Sequence, residues 1–95
     1  MRCSHRSQAL RIRWFVNKAT DLAECKILLA LLRQLRSDAG LTQAQLAARL
    51  QRDQTFVSKY ESGERRLDIL ELREVCRATE TDFAQFIRRL DKDLG

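Results

Sequence analysis

The sequence predicts an all-α fold of five short helices, on three observations. There is no proline and there are only three glycines in 95 residues, so helix breakers are scarce. Ala, Leu, Arg and Gln, all good helix formers, are abundant. From Asp21 onward, apolar residues recur at three- and four-residue steps, each run standing behind a capping box of the Thr/Asp-x-x-Glu/Gln type.

The first helix is predicted over 22–38. Asp21-x-x-Glu24 reads as its capping box, and Leu22, Cys25, Leu28, Leu29, Leu32, Leu35 and Ala39 as its apolar face. Gly40 ends it, because glycine takes the left-handed conformation at little cost. Thr42-x-x-Gln45 opens a second helix over 43–50, with Leu46, Ala47 and Leu50 as its stripe. Gln51-Arg52-Asp53 carries no apolar residue and ends in a good N-cap. The third helix, 54–62, has Phe56, Val57 and Tyr60 as its apolar positions and Gly63 as its stop. Tyr60 is expected in the core with its hydroxyl at the surface. Asp68-x-x-Glu71 opens the fourth helix ahead of Ile69, Leu72, Val75, Cys76 and Thr79. Asp82-x-x-Gln85 opens the fifth, with Phe83, Phe86, Ile87 and Leu90 at helical spacing.

Residues 1–20 stand apart as a basic amino-terminal extension whose order the sequence leaves open; 21–95 form the domain. Leu10 to Trp14 alternates apolar and basic residues like a strand, yet nothing elsewhere offers to pair with it. Arg2, Arg6, Arg11, Arg13 and Lys18 suit phosphate or a minor groove.

The net charge of +5 suits a polyanionic partner. Its distribution limits that inference: residues 1–40 hold eight Lys/Arg against three Asp/Glu, whereas 41–95 hold ten of each. Local placement, and not bulk charge, has to carry the argument. Cys3, Cys25 and Cys76, with His5 the one histidine, fit neither a disulfide framework nor a metal site, and read as reduced thiols in a cytoplasmic protein. No Cys/His or Ser/His pairing and no carboxylate cluster at ligand spacing is present, so neither catalytic residues nor a cofactor nor an enzyme is expected. Met1-Arg2 is not followed by the apolar run of a signal peptide, and Ile27 to Leu32 is too short to span a bilayer, so no membrane association is expected.

Two short helices joined by about three residues pack at a steep angle when their contact residues are small or branched. Ala47 is small where the second and third helices should cross, and Leu46, Leu50, Val57 and Tyr60 supply the surrounding apolar surface. That defines a helix-turn-helix unit over 43–61. The outward face of its second helix carries Gln54, Thr55, Ser58, Lys59 and Ser62, polar and free of acids. Such a face suits the major groove of double-stranded DNA: Gln pairs with adenine, Lys donates to guanine, and Thr offers a methyl to thymine.

The stretch Gly40-Leu41-Thr42-Gln43-x-x-Leu46-Ala47, followed by Phe56-Val57-Ser58-Lys59-Tyr60-Glu61-Ser62-Gly63, resembles the Cro/XRE family of helix-turn-helix proteins, with the five-helix lambda-repressor-like fold. The resemblance covers about residues 31–90 and implies roles residue by residue. Gln54, Thr55 and Lys59 match base-reading positions. Ser58, whose place on the same face makes it a fourth base-reading candidate, and Ser62 match positions nearer the backbone. Gln43 matches a glutamine that hydrogen-bonds a phosphate and braces the recognition helix, and Arg65 and Arg66 match a phosphate-contacting loop. Arg36 and Glu61 match a structural ion pair that sets the angle of the third helix. Two positions depart from the pattern: Gln51 stands where glycine is usual, which implies positive φ there, and Thr79-Glu80 replaces the usual Leu-Gly between the last two helices.

The expected function is sequence-specific binding of double-stranded DNA by a transcriptional regulator, as a homodimer on a palindromic site. Its dimer surface is expected on the fifth helix or the amino-terminal extension. Two further readings stand beside it. One is an antitoxin that holds a toxin through residues 1–24, motivated by Trp14, Phe15 and Val16. The other is a protein-interaction module of the same fold that does not read DNA, motivated by the neutral charge balance of 41–95.

Overall fold

The computed structural model describes residues 18–95, with side chains from Leu22 onward. The described residues form five helices and no strand: α1 (Lys18–Asp38), α2 (Gln43–Leu50), α3 (Gln54–Ser62), α4 (Ile69–Ala78) and α5 (Phe83–Leu94). The strand-like reading of Leu10 to Trp14, the basic residues of the extension ahead of Lys18, and Trp14 to Val16 lie outside the described residues.

Helices α2 to α5 begin directly after Thr42, Asp53, Asp68 and Asp82, although the Asp53 side chain, expected to cap α3, makes no cap hydrogen bond. Thr42 and Asp68 each close a full capping box: the Thr42 hydroxyl accepts from Gln45 N while Gln45 Oε1 accepts from Thr42 N, and Asp68 and Glu71 do the same for α4. The other two boxes need correction. Asp82 is the N-cap residue of α5 but its side chain makes no cap hydrogen bond. Asp21 is not an N-cap, because α1 is already helical from Lys18. The Lys-Ala-Thr stretch ahead of Asp21 contains no breaker, so the helix continues backward through it.

One device ends the first four helices. A residue one or two places beyond the last helical residue turns left-handed and two amides reach back into the last turn, the Schellman arrangement. After α1, Gly40 N donates to Ser37 O and Leu41 N to Arg36 O; after α3, Gly63 N donates to Tyr60 O and Glu64 N to Lys59 O. After α2 the left-handed residue is Gln51, at φ 58° and ψ 45°. After α4 it is Glu80, at φ 57°. The same backbone bonds form at both: Arg52 N to Ala47 O, and Thr81 N to Cys76 O.

The core draws on every helix. Leu31 and Leu32 come from α1, Leu46 and Ala47 from α2, Val57 and Tyr60 from α3, Leu72, Val75 and Cys76 from α4, and Phe86 from α5. Helix α2 packs chiefly on α3; α1 supports α3 and α5, and α4 supports α2 and α5. Tyr60 corrects an expectation. It is 0% exposed, and its hydroxyl is buried with no hydrogen-bond partner among the described residues. Burial first, and the neighbouring Glu61 charge second, push its ionisation well above the usual phenol range. Cys25 and Cys76 are free thiols, and Cys76 is buried, which raises its pKa to about 11. No described helix is long and apolar enough to cross a membrane.

Candidate nucleic-acid interface

Helix α3 is held from below and left open above. Val57, Tyr60 and Glu61 are buried, while Gln54, Thr55, Lys59 and Ser62 are exposed and Ser58 is half-buried. This follows from the register: positions 57, 60 and 61 fall on one side of a 3.6-residue helix and 55, 58, 59 and 62 on the other. The exposed side carries no acid. The two serines turn back on their own helix, Ser58 Oγ donating to Thr55 O at 3.2 Å and Ser62 Oγ to Lys59 O at 3.0 Å. Ser62 Oγ also lies 3.4 Å from Glu64 Oε2 and accepts from Glu64 N at 3.4 Å, whereas the Ser58 oxygen keeps its lone pairs for another donor. The side chains of Gln54, Thr55 and Lys59 make no hydrogen bond to other described residues.

Two ionic clusters flank this helix. On one edge Glu61, 3% exposed, is the hub. Arg36 donates from Nε to Oε2 at 2.7 Å and from Nη2 to Oε1 at 3.0 Å, and Gln43 Nε2 donates to Oε1 at 3.0 Å. Arg36 Nη1 also donates to Leu41 O at 3.0 Å. One carboxylate thus ties α1, the α1–α2 turn and the start of α2 to the end of α3. Burial works to raise the Glu61 pKa, but the hydrogen bonds from Arg36 and Gln43 outweigh it and hold it below the usual carboxylate value. The Glu61 hydrogen bond raises that of Arg36 in turn. Gln43 uses one N–H here and keeps a second N–H for another acceptor.

The other edge is built on Phe56. The guanidinium carbons of Arg52 and Arg65 lie 4.3 Å and 4.8 Å from the centre of its ring, within cation–π range. Glu71 ties both arginines to the start of α4. Arg65 donates from Nη1 and Nη2 at 2.9 and 2.8 Å, and Arg52 Nη2 stands 3.5 Å from Oε2. The paired Arg65 bonds, then the Asp68 amide, draw the Glu71 pKa down to about 2. Arg65, expected to contact phosphate, is therefore already engaged within the fold. Sequence reasoning assigned Glu71 only to its capping box and overlooked Arg52. Arg52 and Phe56 are four residues apart, but Arg65 and Glu71 join them only through the packing of α4, so no local spacing signals the cluster.

The structure thus brings Gln54, Thr55, Ser58 and Lys59 together on one face, sets Gln43 with Arg36 and Glu61 at one edge of it, and holds Arg65 at the other. Among the described residues no group of three His, Cys, Asp or Glu side chains could hold a metal ion.

Comparison with known proteins agrees with this architecture. Residues 27–90 match the helix-turn-helix domain family. Among solved structures the chain is similar to an XRE-family like protein from Pseudomonas syringae pv. tomato str. DC3000, with 45% identity and a TM-score of 0.76, covering 81% of this chain and 94% of that one. It is also similar to the clp gene regulator ClgR from C. glutamicum, with 25% identity and a TM-score of 0.65, covering 76% of this chain and 94% of that one. No curated protein matches. With α2 and α3 forming the motif and these matches spanning most of its length, the chain belongs to the Cro/XRE-like family of helix-turn-helix proteins.

Proposed function

We propose that the protein is a sequence-specific, double-stranded DNA-binding transcriptional regulator that places α3 in the major groove. The observation that carries this reading is the open, acid-free face of α3 between two ionic clusters that hold its orientation. A reading helix needs both: side chains free to meet base edges, and a backbone that cannot rock. The likeness to ClgR, a regulator of clp genes by its description, points the same way.

In this reading Gln54, Thr55, Ser58 and Lys59 meet base edges. Gln43, with its second N–H, joins Ser62, Arg65 and Arg66 at the phosphates, and the amides at the starts of α2 and α3 add further anion-binding donors. Arg36 and Glu61 read no base and set the helix angle. One helix of this length reads about four or five base pairs, so a cytoplasmic homodimer on an inverted repeat, with half-sites about one helical turn apart, multiplies the specificity.

Selection of bound sites from random duplex DNA at a stated salt concentration tests this directly. The expected product is an inverted repeat. Replacing Gln54 or Lys59 by Ala should relax base preference at one position of each half-site, by about 1–3 kcal/mol per lost contact. If both variants select the same sites as the parent, these residues are not the readers. A chain that binds no duplex even at low salt would be an interaction module instead.

A further inference from the structure

A two-fold regulator needs a surface where two copies meet, and the apolar residues of α5 are partly or fully covered by its own core. Phe86 is buried, and Phe83, Ile87 and Leu90 pack against the core. The large apolar side chains left exposed among the described residues are Leu22, Ile69, Leu70 and Leu94. Leu22 and Leu94 stand singly near helix ends. Ile69 and Leu70 are adjacent in the first turn of α4, at 61% and 66% exposed. Nothing local requires them there. The buried side of α4 consists of Leu72, Val75 and Cys76, and Leu70 falls opposite it on the helix. The capping box that starts α4 uses Asp68 and Glu71 and would form equally well around polar residues.

We propose that Ile69 and Leu70 form the centre of a two-fold contact between two copies of this chain, made when both are bound to DNA. The proposal rests on the DNA-binding reading of α3. Three features favour a second copy as the occupant.

The first is position. The first turn of α4 lies by the start of α3, since Glu71 is within ion-pair range of Arg52 and Arg65, so the pair is close to the candidate DNA-facing surface. A two-fold axis through the pair and normal to that surface would set both copies of α3 on the same side of the dimer. The second is charge. A two-fold axis brings a patch against itself, so a patch of one sign repels its own image. Around Ile69 and Leu70 stand Arg66 and Arg73 with Asp68 and Glu74, two of each sign and all exposed. Arg73 and Glu74 have no ion pair or hydrogen bond to other described residues, so both are available to a partner. The third is area. Two apolar side chains with a charged rim fall far short of the roughly 800 Å² per partner of a stable interface. The free chain is therefore monomeric at ordinary concentrations, and pairing appears when adjacent half-sites raise the effective concentration.

Two experiments test this with the full chain. In the first, duplexes recovered by selection are cut to carry one half-site or two. The parent should bind the two-half-site duplex cooperatively, with the second copy bound about tenfold or more tightly than the first. The Ile69→Ser, Leu70→Ser double variant should keep the parent's melting temperature and one-half-site affinity and lose that cooperativity. Cooperativity retained in the variant overturns the proposal while leaving the DNA-binding reading intact. The second needs no DNA. With Cys3 and Cys25 replaced by Ser and buried Cys76 left in place, Leu70→Cys is oxidised at high protein concentration beside an Ala84→Cys control. A thiol next to a two-fold axis meets its own image, so Leu70→Cys should form the disulfide dimer about tenfold faster than the control or more. Equal rates overturn the two-copy contact and leave the patch to another protein. Failure of the DNA-binding reading shows separately, as a parent that binds no duplex, and the disulfide rates then decide the contact alone.

Discussion

Glu61 receives Arg36 and Gln43 while 3% exposed, so one side chain fixes one edge of α3. Removing one partner of a buried ion pair leaves the other uncompensated. Arg36 keeps 18% of its side chain exposed, so we expect Glu61→Gln to cost about 2–3 kcal/mol in urea denaturation, below the fully buried case. Glu61 and Glu71 also predict acid sensitivity. Both folded pKa values lie below the unfolded value of about 4.3, so their stabilisation is complete above that pH. It is lost as the pH falls toward the folded values, about 2 for Glu71. Unfolding midpoints measured from pH 6 down to pH 2 should fall below about pH 4. Glu71→Gln should start lower and flatten that part of the curve. Tyr60 makes the opposite kind of prediction. Its buried hydroxyl lacks a partner among the described residues, so Tyr60→Phe should be neutral or stabilise by up to about 1 kcal/mol, read from the same denaturation curves.

Helix ends carry the stability predictions that belong to elements. Gln51 and Glu80 both hold the left-handed conformation that Gly40 and Gly63 hold at the other two turns. A residue with a Cβ is strained there by about 1–2 kcal/mol, while glycine gives part of that back through the greater freedom of its unfolded chain. Gln51→Gly and Glu80→Gly should each raise stability by about 0.5–1 kcal/mol, visible as a higher melting temperature. Gly63→Ala should do the reverse by more than about 1 kcal/mol, because it adds strain at φ 89° and sets a Cβ 3.2 Å from Leu29 Cδ1. The N-caps divide likewise. Thr42→Ala removes half of a closed capping box and should cost about 1 kcal/mol, whereas Asp82→Ala removes no cap hydrogen bond and should cost less. The sequence pattern located both boxes but could not rank them, since a capping box is a geometry as well as a spacing.

Over the whole molecule, the charge that first suggested nucleic acid lies mostly in residues 1–40, and 41–95 are balanced. DNA affinity must then come from a few placed cations and amides, and its salt dependence counts them. Each phosphate neutralised contributes about 0.9 to the slope of log K against log salt, so Arg66→Ala should lower that slope by about 1 and weaken all sequences alike. Lys59→Ala should instead weaken some sequences more than others. Binding titrations at several salt concentrations on two unrelated duplexes separate the outcomes.

The helices and their register were legible because apolar spacing, capping residues and glycine stops are local in the chain, and a helix is a local structure. The exposed side of α3 was legible for the same reason: once Val57 and Tyr60 are inward, Thr55, Ser58 and Lys59 point away, while Gln54, three residues before Val57, is left outside by its place in the first turn. The forward start at Asp21 failed because a plausible cap does not stop a helix that has no breaker before it. The depth of the Tyr60 hydroxyl and the Arg52–Phe56–Arg65–Glu71 cluster depend on where α1 and α4 lie against α3, a matter of tertiary packing alone. So does the exposure of Ile69, whose spacing puts it in the apolar stripe of α4 but which the packing leaves outside with its neighbour Leu70. Periodicity along the chain says which residues share a face; what lies opposite that face is decided only when the helices meet.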